Sequence, residues 1–279
     1  MKISTTSLFT FLVACLLLNP TAGYTRANDE FKFKSNVAYI IDADTQEVLH
    51  DKNSSIQVPI ASITKLMAAI VVLDNEQELN EELTITKSDI ARKSRARSKL
   101  AVGTKIQRKE ALLLGLMSSE NRSMNALART FPGGHAEFIN AMNEKARSLG
   151  MNDTLFVDPT GVYSQNVSSA KDLFLLMNES LKYPLIKEYS TTSNYQITQT
   201  KKRQLNFVNT NPIVRAHSMD ILLQKTGYIT AAGRCLIVQA KIQGRNIAMI
   251  FLNSKGKNTR FMDAKVAQKS VEKLLSHQF

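Results

Sequence analysis

Residues 219–253 read MDILLQKTGYITAAGRCLIVQAKIQGRNIAMIFLN. Three runs, MDILLQK, CLIVQAKI and NIAMIFLN, have the length and apolar composition of strands, with Gly227 and Gly244 interrupting them. Cys235 lies in the second run and is expected to be a buried small hydrophobe rather than a nucleophile. Near the other end, residues 36–50 (NVAYIIDADTQEVLH) read as two strands around a turn at Asp44-Thr45. Helical patterns fill the middle. One runs from Ser62 to about Asp74; a second, 109–117 (KEALLLGLM), is almost wholly apolar and hence buried. A third spans 135–149 and stops at Gly150, and a fourth runs from Ser169 to Ser180. Residues 259–277 form a last amphipathic helix, and Asp158-Pro159-Thr160-Gly161 reads as a turn. The economical arrangement is α/β (α+β): an antiparallel sheet built from both chain ends, packed with helices, plus a mostly helical insertion.

The chain has 279 residues, enough for a sizeable core. Its 43% hydrophobic and 22% charged content exclude wholesale disorder. Two cysteines make neither a disulfide framework nor a cysteine zinc site. Residues 1–27 have the build of a signal peptide: Lys2, an apolar run from Leu8 to Leu18, then small residues. Thr25 and Ala27 suit a cut before Asn28, and a cut after Gly23 also fits. The apolar run is short for a membrane span, which needs ~20 residues. Leu12-Val13-Ala14-Cys15 has the form of a lipobox, but the apolar run continues past Cys15, where a lipobox closes it. The reading is therefore a signal peptide at 1–27 and a single exported domain at 28–279. Its removal takes away Lys2 and Arg26, so the +12 formal charge falls by two.

None of the four histidines has metal-ligand spacing, and no G-x-S-x-G elbow or glycine-rich phosphate loop is present. A serine–lysine pattern is present. Ser62 and Lys65 are three apart at a helix start and share a face, so the amine can reach the hydroxyl. A serine is a poor nucleophile until a base takes its proton, and a lysine serves once burial or another cation lowers its pKa. The positive end of the helix dipole would stabilise developing negative charge there. S-x-x-K occurs four times in this chain, so the spacing alone decides little. The ordered set is more telling: Ser62-x-x-Lys65, then Ser119-Glu120-Asn121, then Lys225-Thr226-Gly227. Ser119 and Asn121 lie in a polar break after a buried helix, and Gly227 at a strand end would let substrate approach the backbone.

On these motifs the chain resembles the low-molecular-mass penicillin-binding proteins of the D-alanyl-D-alanine peptidase family (serine peptidase S11). The resemblance extends to Pro59-Ile60-Ala61, Leu116-Met117-Ser118, Phe131-Pro132-Gly133-Gly134, Tyr228 and Ala231-Ala232-Gly233. It implies a β-lactamase/transpeptidase-like fold and a periplasmic enzyme acting on peptidoglycan peptide cross-links, with β-lactam antibiotics as covalent inhibitors. It implies that Ser62 forms the acyl-enzyme, Lys65 is the base and Ser119 relays the proton to the leaving amine. Asn121, Lys225, Thr226, Gly227 and Tyr228 would bind substrate, with the Lys225 charge helping to keep Lys65 neutral. The N–H groups of Ser62 and Tyr228 would form the oxyanion hole. No metal or organic cofactor is implied. The chain lacks the Glu-x-x-x-Asn signature of class A β-lactamases between Asn121 and Lys225, so slow acylation by penicillin is expected rather than its rapid hydrolysis. The length after Gly227 leaves room for the last strands and one helix, not for the β-domain and membrane anchor of the longer carboxypeptidases. That favours the endopeptidase branch, with a D-alanyl-D-alanine carboxypeptidase as the alternative.

A rival class is a non-catalytic, basic envelope-binding protein. Its best feature is the run Arg92-Lys93-Ser94-Arg95-Ala96-Arg97-Ser98-Lys99, with Lys105, Arg108 and Lys109 beyond. Aromatics for base stacking are absent from this run, and an exported protein rarely meets nucleic acid. The expectation is that residues 92–109 flank the cleft and attract anionic wall peptides.

Overall fold

The computed structural model describes residues 31–91, 97–200 and 203–276. The signal-peptide and lipobox readings, and basic residues 92–96, lie outside the described residues. In chain order the strands are β1 (Val37–Asp42), β2 (Val48–Lys52), β3 (Val58–Pro59), β4 (Glu82–Thr84), β5 (Lys105–Gln107) and β6 (Val167–Ser168). They continue as β7 (Asn194–Thr200), β8 (Arg203–Val208), β9 (Asp220–Ile229), β10 (Gly233–Ile242) and β11 (Arg245–Ser254).

The main sheet has the antiparallel order β2-β1-β11-β10-β9. N-terminal β1 pairs with C-terminal β11 in the register Tyr39↔Ile250, so both chain ends do build one sheet. Its side chains alternate between two apolar layers. Val37, Tyr39, Ile237 and Ile250 face the helical core, with Leu66, Ile70 and Leu114. Ile40, Val238, Met249 and Phe251 face the Thr259–Ser276 helix through Phe261, Ala264 and Val271. Cys235 is fully buried, and burial pushes its thiol up to about 11, as expected of an inert core cysteine.

Helices Lys65–Asp74, Arg108–Met117, Asn121–Arg129, Gly134–Ser148 and Ala170–Ser180 form the helical layer. Ser169 caps the last of these by accepting from the Asp172 amide. Three local readings change. The Ser62 helix begins as a 3-10 turn, Ala61–Thr64, before becoming α-helical at Lys65. β9 does not end at Gly227 but runs through it to Ile229. Residues 181–218 carry a helix at Pro184–Thr191 and the β7–β8 hairpin, neither anticipated from the sequence.

Two glycines hold the 3-10 turn in place. Gly227 faces it from edge strand β9, and a Cβ there would meet the Ile60 carbonyl oxygen at 2.9 Å and the Ser62 nitrogen at 3.1 Å. Gly161 faces it from the other side at φ +78°, and a Cβ there would lie 1.9 Å from the Ala61 carbonyl oxygen. The bare backbone at 227 thus admits the turn that carries Ser62, where the sequence suggested substrate. Ala61 itself sits at φ +48°, a strained value for a residue with a Cβ.

Gly161→Ala is therefore expected to destabilise the fold by about 3 kcal/mol or more, combining a left-handed backbone with a clash. Gly150→Ala shares a positive φ but meets nothing within 4 Å, and should cost only about 1 kcal/mol. Chemical denaturation of the two variants measures the difference.

Candidate active site

Ser62 does not cap its helix. No side-chain cap bond forms at this end, and Thr64 Oγ1 donates instead to the Ala61 carbonyl at 2.8 Å. The Ser62 hydroxyl is thereby left to Lys65. Lys65 is fully buried, and its Nζ donates to Ser62 Oγ (2.9 Å), Asn121 Oδ1 (2.8 Å) and the Thr160 carbonyl (2.7 Å). Burial lowers its pKa to about 7, while the negative charges of Asp158 and Glu120 pull the other way.

The polar break after the Arg108–Met117 helix forms the second wall. The amides of Ser118 and Glu120 both donate to the Leu114 carbonyl, and Ser119 between them adopts φ +61°. Glu120 caps the Asn121–Arg129 helix by accepting from the Arg122 amide at 3.0 Å. Asn121 therefore opens a helix whose start is fixed by its neighbour.

β9 forms the third wall. Lys225 is fully buried and its Nζ donates to Ser119 Oγ and to the Thr226 carbonyl, each at 3.1 Å. Burial first, then the charge of Lys65, holds Lys225 well below the usual lysine range. The sequence expected Lys225 to keep Lys65 neutral; burial is what mainly depresses both. Thr226 shares a hydrogen bond with Thr210 at 2.5 Å between hydroxyl oxygens. Tyr228 stands at the rim, 54% exposed. Ser62, Ser119, Asn121, Thr226, Gly227 and Tyr228 line one cleft of about 590 Å³, with the two lysines buried behind it.

Sequence reasoning missed several contributors. Asp158 is buried, and its carboxylate accepts from the amides of Thr160, Gly161 and Tyr163, which fixes the loop that presents the Thr160 carbonyl to Lys65. The turn was legible, but a backbone carbonyl acting as a ligand leaves no mark in the sequence. Arg260, 6% exposed, also lines the cleft from the start of the last helix; burial lowers its pKa to about 10, and its Nε has no hydrogen-bond partner among the described residues. The described part of the basic run is mostly engaged elsewhere. Arg108 is buried against Glu81, Gln77 and Thr130; Lys105 pairs with Glu82, and Lys109 donates to Asn80. Lys99 donates to the Asn206 carbonyl. Among the described residues, no group of three His, Cys, Asp or Glu side chains could hold a metal ion, and no helix is long and apolar enough to cross a membrane.

The site thus joins a serine hydroxyl to a buried amine of depressed pKa, and a second serine to a second buried lysine. This is equipment for acyl transfer. Comparison with known proteins agrees. The family model for D-alanyl-D-alanine carboxypeptidase, peptidase S11, matches residues 24–256. The D-alanyl-D-alanine endopeptidase of Escherichia coli is 42% identical over 245 residues, covering 88% of this chain and 79% of that protein. The Streptomyces K15 DD-transpeptidase shares the fold, with a TM-score of 0.80 at 24% identity over 86% of this chain and 97% of that one. Penicillin-binding protein D2 of Listeria monocytogenes, solved in an ampicillin-bound form, superposes with a TM-score of 0.74 at 26% identity, over 86% of this chain and 97% of that one. With its three ordered motifs assembled around one cleft, the chain belongs to the D-alanyl-D-alanine carboxypeptidase family, peptidase S11.

Proposed function

We propose that this protein is an exported serine DD-peptidase that opens D-alanyl-diaminopimelyl cross-links of peptidoglycan, with residues 28–279 as one catalytic domain working in the periplasm. The observation that carries the reading is the buried Lys65 amine, 2.9 Å from the Ser62 hydroxyl and depressed to about 7. Neutral Lys65 takes the Ser62 proton, and Oγ attacks the D-alanyl carbonyl. The amides of Ser62 and Tyr228 hold the oxyanion. Ser119 passes a proton to the leaving amine as the C–N bond breaks, which leaves a Ser62 ester. Asn121 orients the substrate amide, while Lys225 and Thr226 receive a substrate carboxylate. Water then cleaves the ester and restores Ser62. The 42% identity to an endopeptidase supports cross-link cleavage. The family's own description favours a second reading, removal of a terminal D-alanine by the same residues.

Digestion of purified cross-linked muropeptide dimers, read by mass, decides between the two. Loss of dimers is expected; loss of terminal D-alanine alone would establish the carboxypeptidase. Labelling by a fluorescent penicillin should vanish in Ser62→Ala and slow by about 100–10,000-fold in Lys65→Ala. Labelling that survives Ser62→Ala would overturn the assignment.

The pH dependence has a definite sign. Lys65 acts only when neutral, so the acylation rate should fall about tenfold per unit below pH 7 and level off above it. The Asp158 charge raises the Lys65 pKa. Asp158→Asn should therefore move the rising limb of the profile to lower pH, a shift that a mere loss of active protein would not produce.

A further inference from the structure

A second recess of about 440 Å³ opens beside the active-site cleft, and the two share Tyr228 and Thr230. Its walls are the end of β9, the start of β10 with Arg234, the end of β11 with Asn253, and the following segment with Lys255 and Lys257. No acidic residue lines it. Among the described residues, no carboxylate pairs with Arg234, Lys255 or Lys257.

The cations are placed rather than scattered. Arg234 is the ladder partner of Tyr228, and its guanidinium carbon stands 4.4 Å from the centre of the Tyr228 ring. That stacking holds the guanidinium at the junction of recess and cleft while leaving its N–H fork available. Arg260, which lines the cleft, donates to the Lys257 carbonyl at 2.9 Å, tying the lysine-bearing segment to the site. A basic lane thus leads outward from the cleft. Three cations without counter-charges in one concavity repel each other, so the recess is electrostatically incomplete until an anion enters.

We propose that Arg234, Lys255 and Lys257 form a subsite for a free carboxylate of the cross-linked peptide, and so determine specificity for branched substrates over short ones. This rests on the DD-peptidase reading above. Peptidoglycan peptides carry free carboxylates besides those at the scissile residue, and a cross-link brings two such peptides to one site. A penicillin, being small, is recognised in the cleft alone.

The test uses binding, so that it stands apart from turnover. Full-length mature protein carrying Ser62→Ala is titrated with purified cross-linked muropeptide dimer, with and without Lys255→Glu/Lys257→Glu; both lysines are exposed, so the fold should persist. The expected result is a Kd raised about tenfold by the charge reversal, with a weaker dependence on salt. Arg234→Ala should also weaken binding, and Arg234→Lys should restore part of it. Amidating the dimer's free carboxylates should abolish the difference. With Ser62 intact, Lys255→Glu/Lys257→Glu should still form the penicillin adduct, which shows that the cleft is assembled. An unchanged Kd on charge reversal, or a difference that persists with amidated dimer, would overturn the subsite. A wild-type enzyme that takes penicillin but leaves dimers uncut overturns the endopeptidase reading instead, and the Kd comparison still decides the subsite.

Discussion

A lysine amine buried without water must be surrounded by acceptors or lose its proton, and the site is organised around that constraint. Lys65 has three donors, and they meet a hydroxyl, an amide oxygen and a backbone carbonyl. Each acceptor comes from a different part of the chain. Ser62 comes from the 3-10 turn, Asn121 from the start of the Asn121–Arg129 helix, and Thr160 from the loop that Asp158 folds. The amine is therefore satisfied when charged, yet desolvated enough for its pKa to reach about 7. A more polar pocket would leave it protonated throughout the neutral range. Once neutral, the amine still has two N–H donors for Asn121 and the Thr160 carbonyl, and its lone pair can face the Ser62 hydroxyl.

Holding three acceptors on one amine requires backbone geometry that the chain would not adopt alone. Ala61 and Ser119 both have positive φ values without being glycine. Each flanks or carries a serine hydroxyl that lines the cleft, and each is fixed by its surroundings. Ala61 is gripped between Gly161 and Gly227, which can approach because neither has a Cβ. Ser119 is fixed because two neighbouring amides share the Leu114 carbonyl. The sheet supplies the reference frame. β9 is one of its edge strands, with one side paired to β10 and the other turned to the Ser62 turn.

The sheet and the three motifs were legible because their signals lie in side chains. Near-continuous apolar runs in 219–253 mark strands buried on both faces, and Ser62, Lys65, Ser119, Asn121, Lys225 and Thr226 are chemically distinctive at their spacing. Features carried by the backbone were not legible. Nothing in Thr160 announces that its carbonyl holds the Lys65 amine. Gly227 was readable as a place of close approach, but not which chain would approach. The β7–β8 hairpin was hidden for another reason: its apolar positions, Tyr195, Ile197, Leu205 and Phe207, do alternate, but they sit among glutamine, threonine and basic residues. The packing of Ile197 and Phe207 against the helical core decides the structure there, and local composition does not.

Charge illustrates the same division between what a sequence counts and what a fold uses. The run around residues 92–109 is the densest basic stretch, yet Arg108 is buried as a structural tie and Lys105 neutralises Glu82. Arg234, Lys255, Lys257 and Arg260 are spread over more than twenty residues and look unremarkable in sequence. The β9–β10 turn and the end of β11 bring them to one side of the cleft without a compensating carboxylate. Buried Lys225 stands at the inner end of that gradient, depressed by the same lack of solvent that tunes Lys65. An incoming carboxylate would stabilise the proton on Lys225, and that positive charge opposes a second proton on Lys65. Anion binding at Lys225 and a neutral Lys65 would then be favoured together, because two ammonium groups buried side by side are an arrangement that electrostatics penalises.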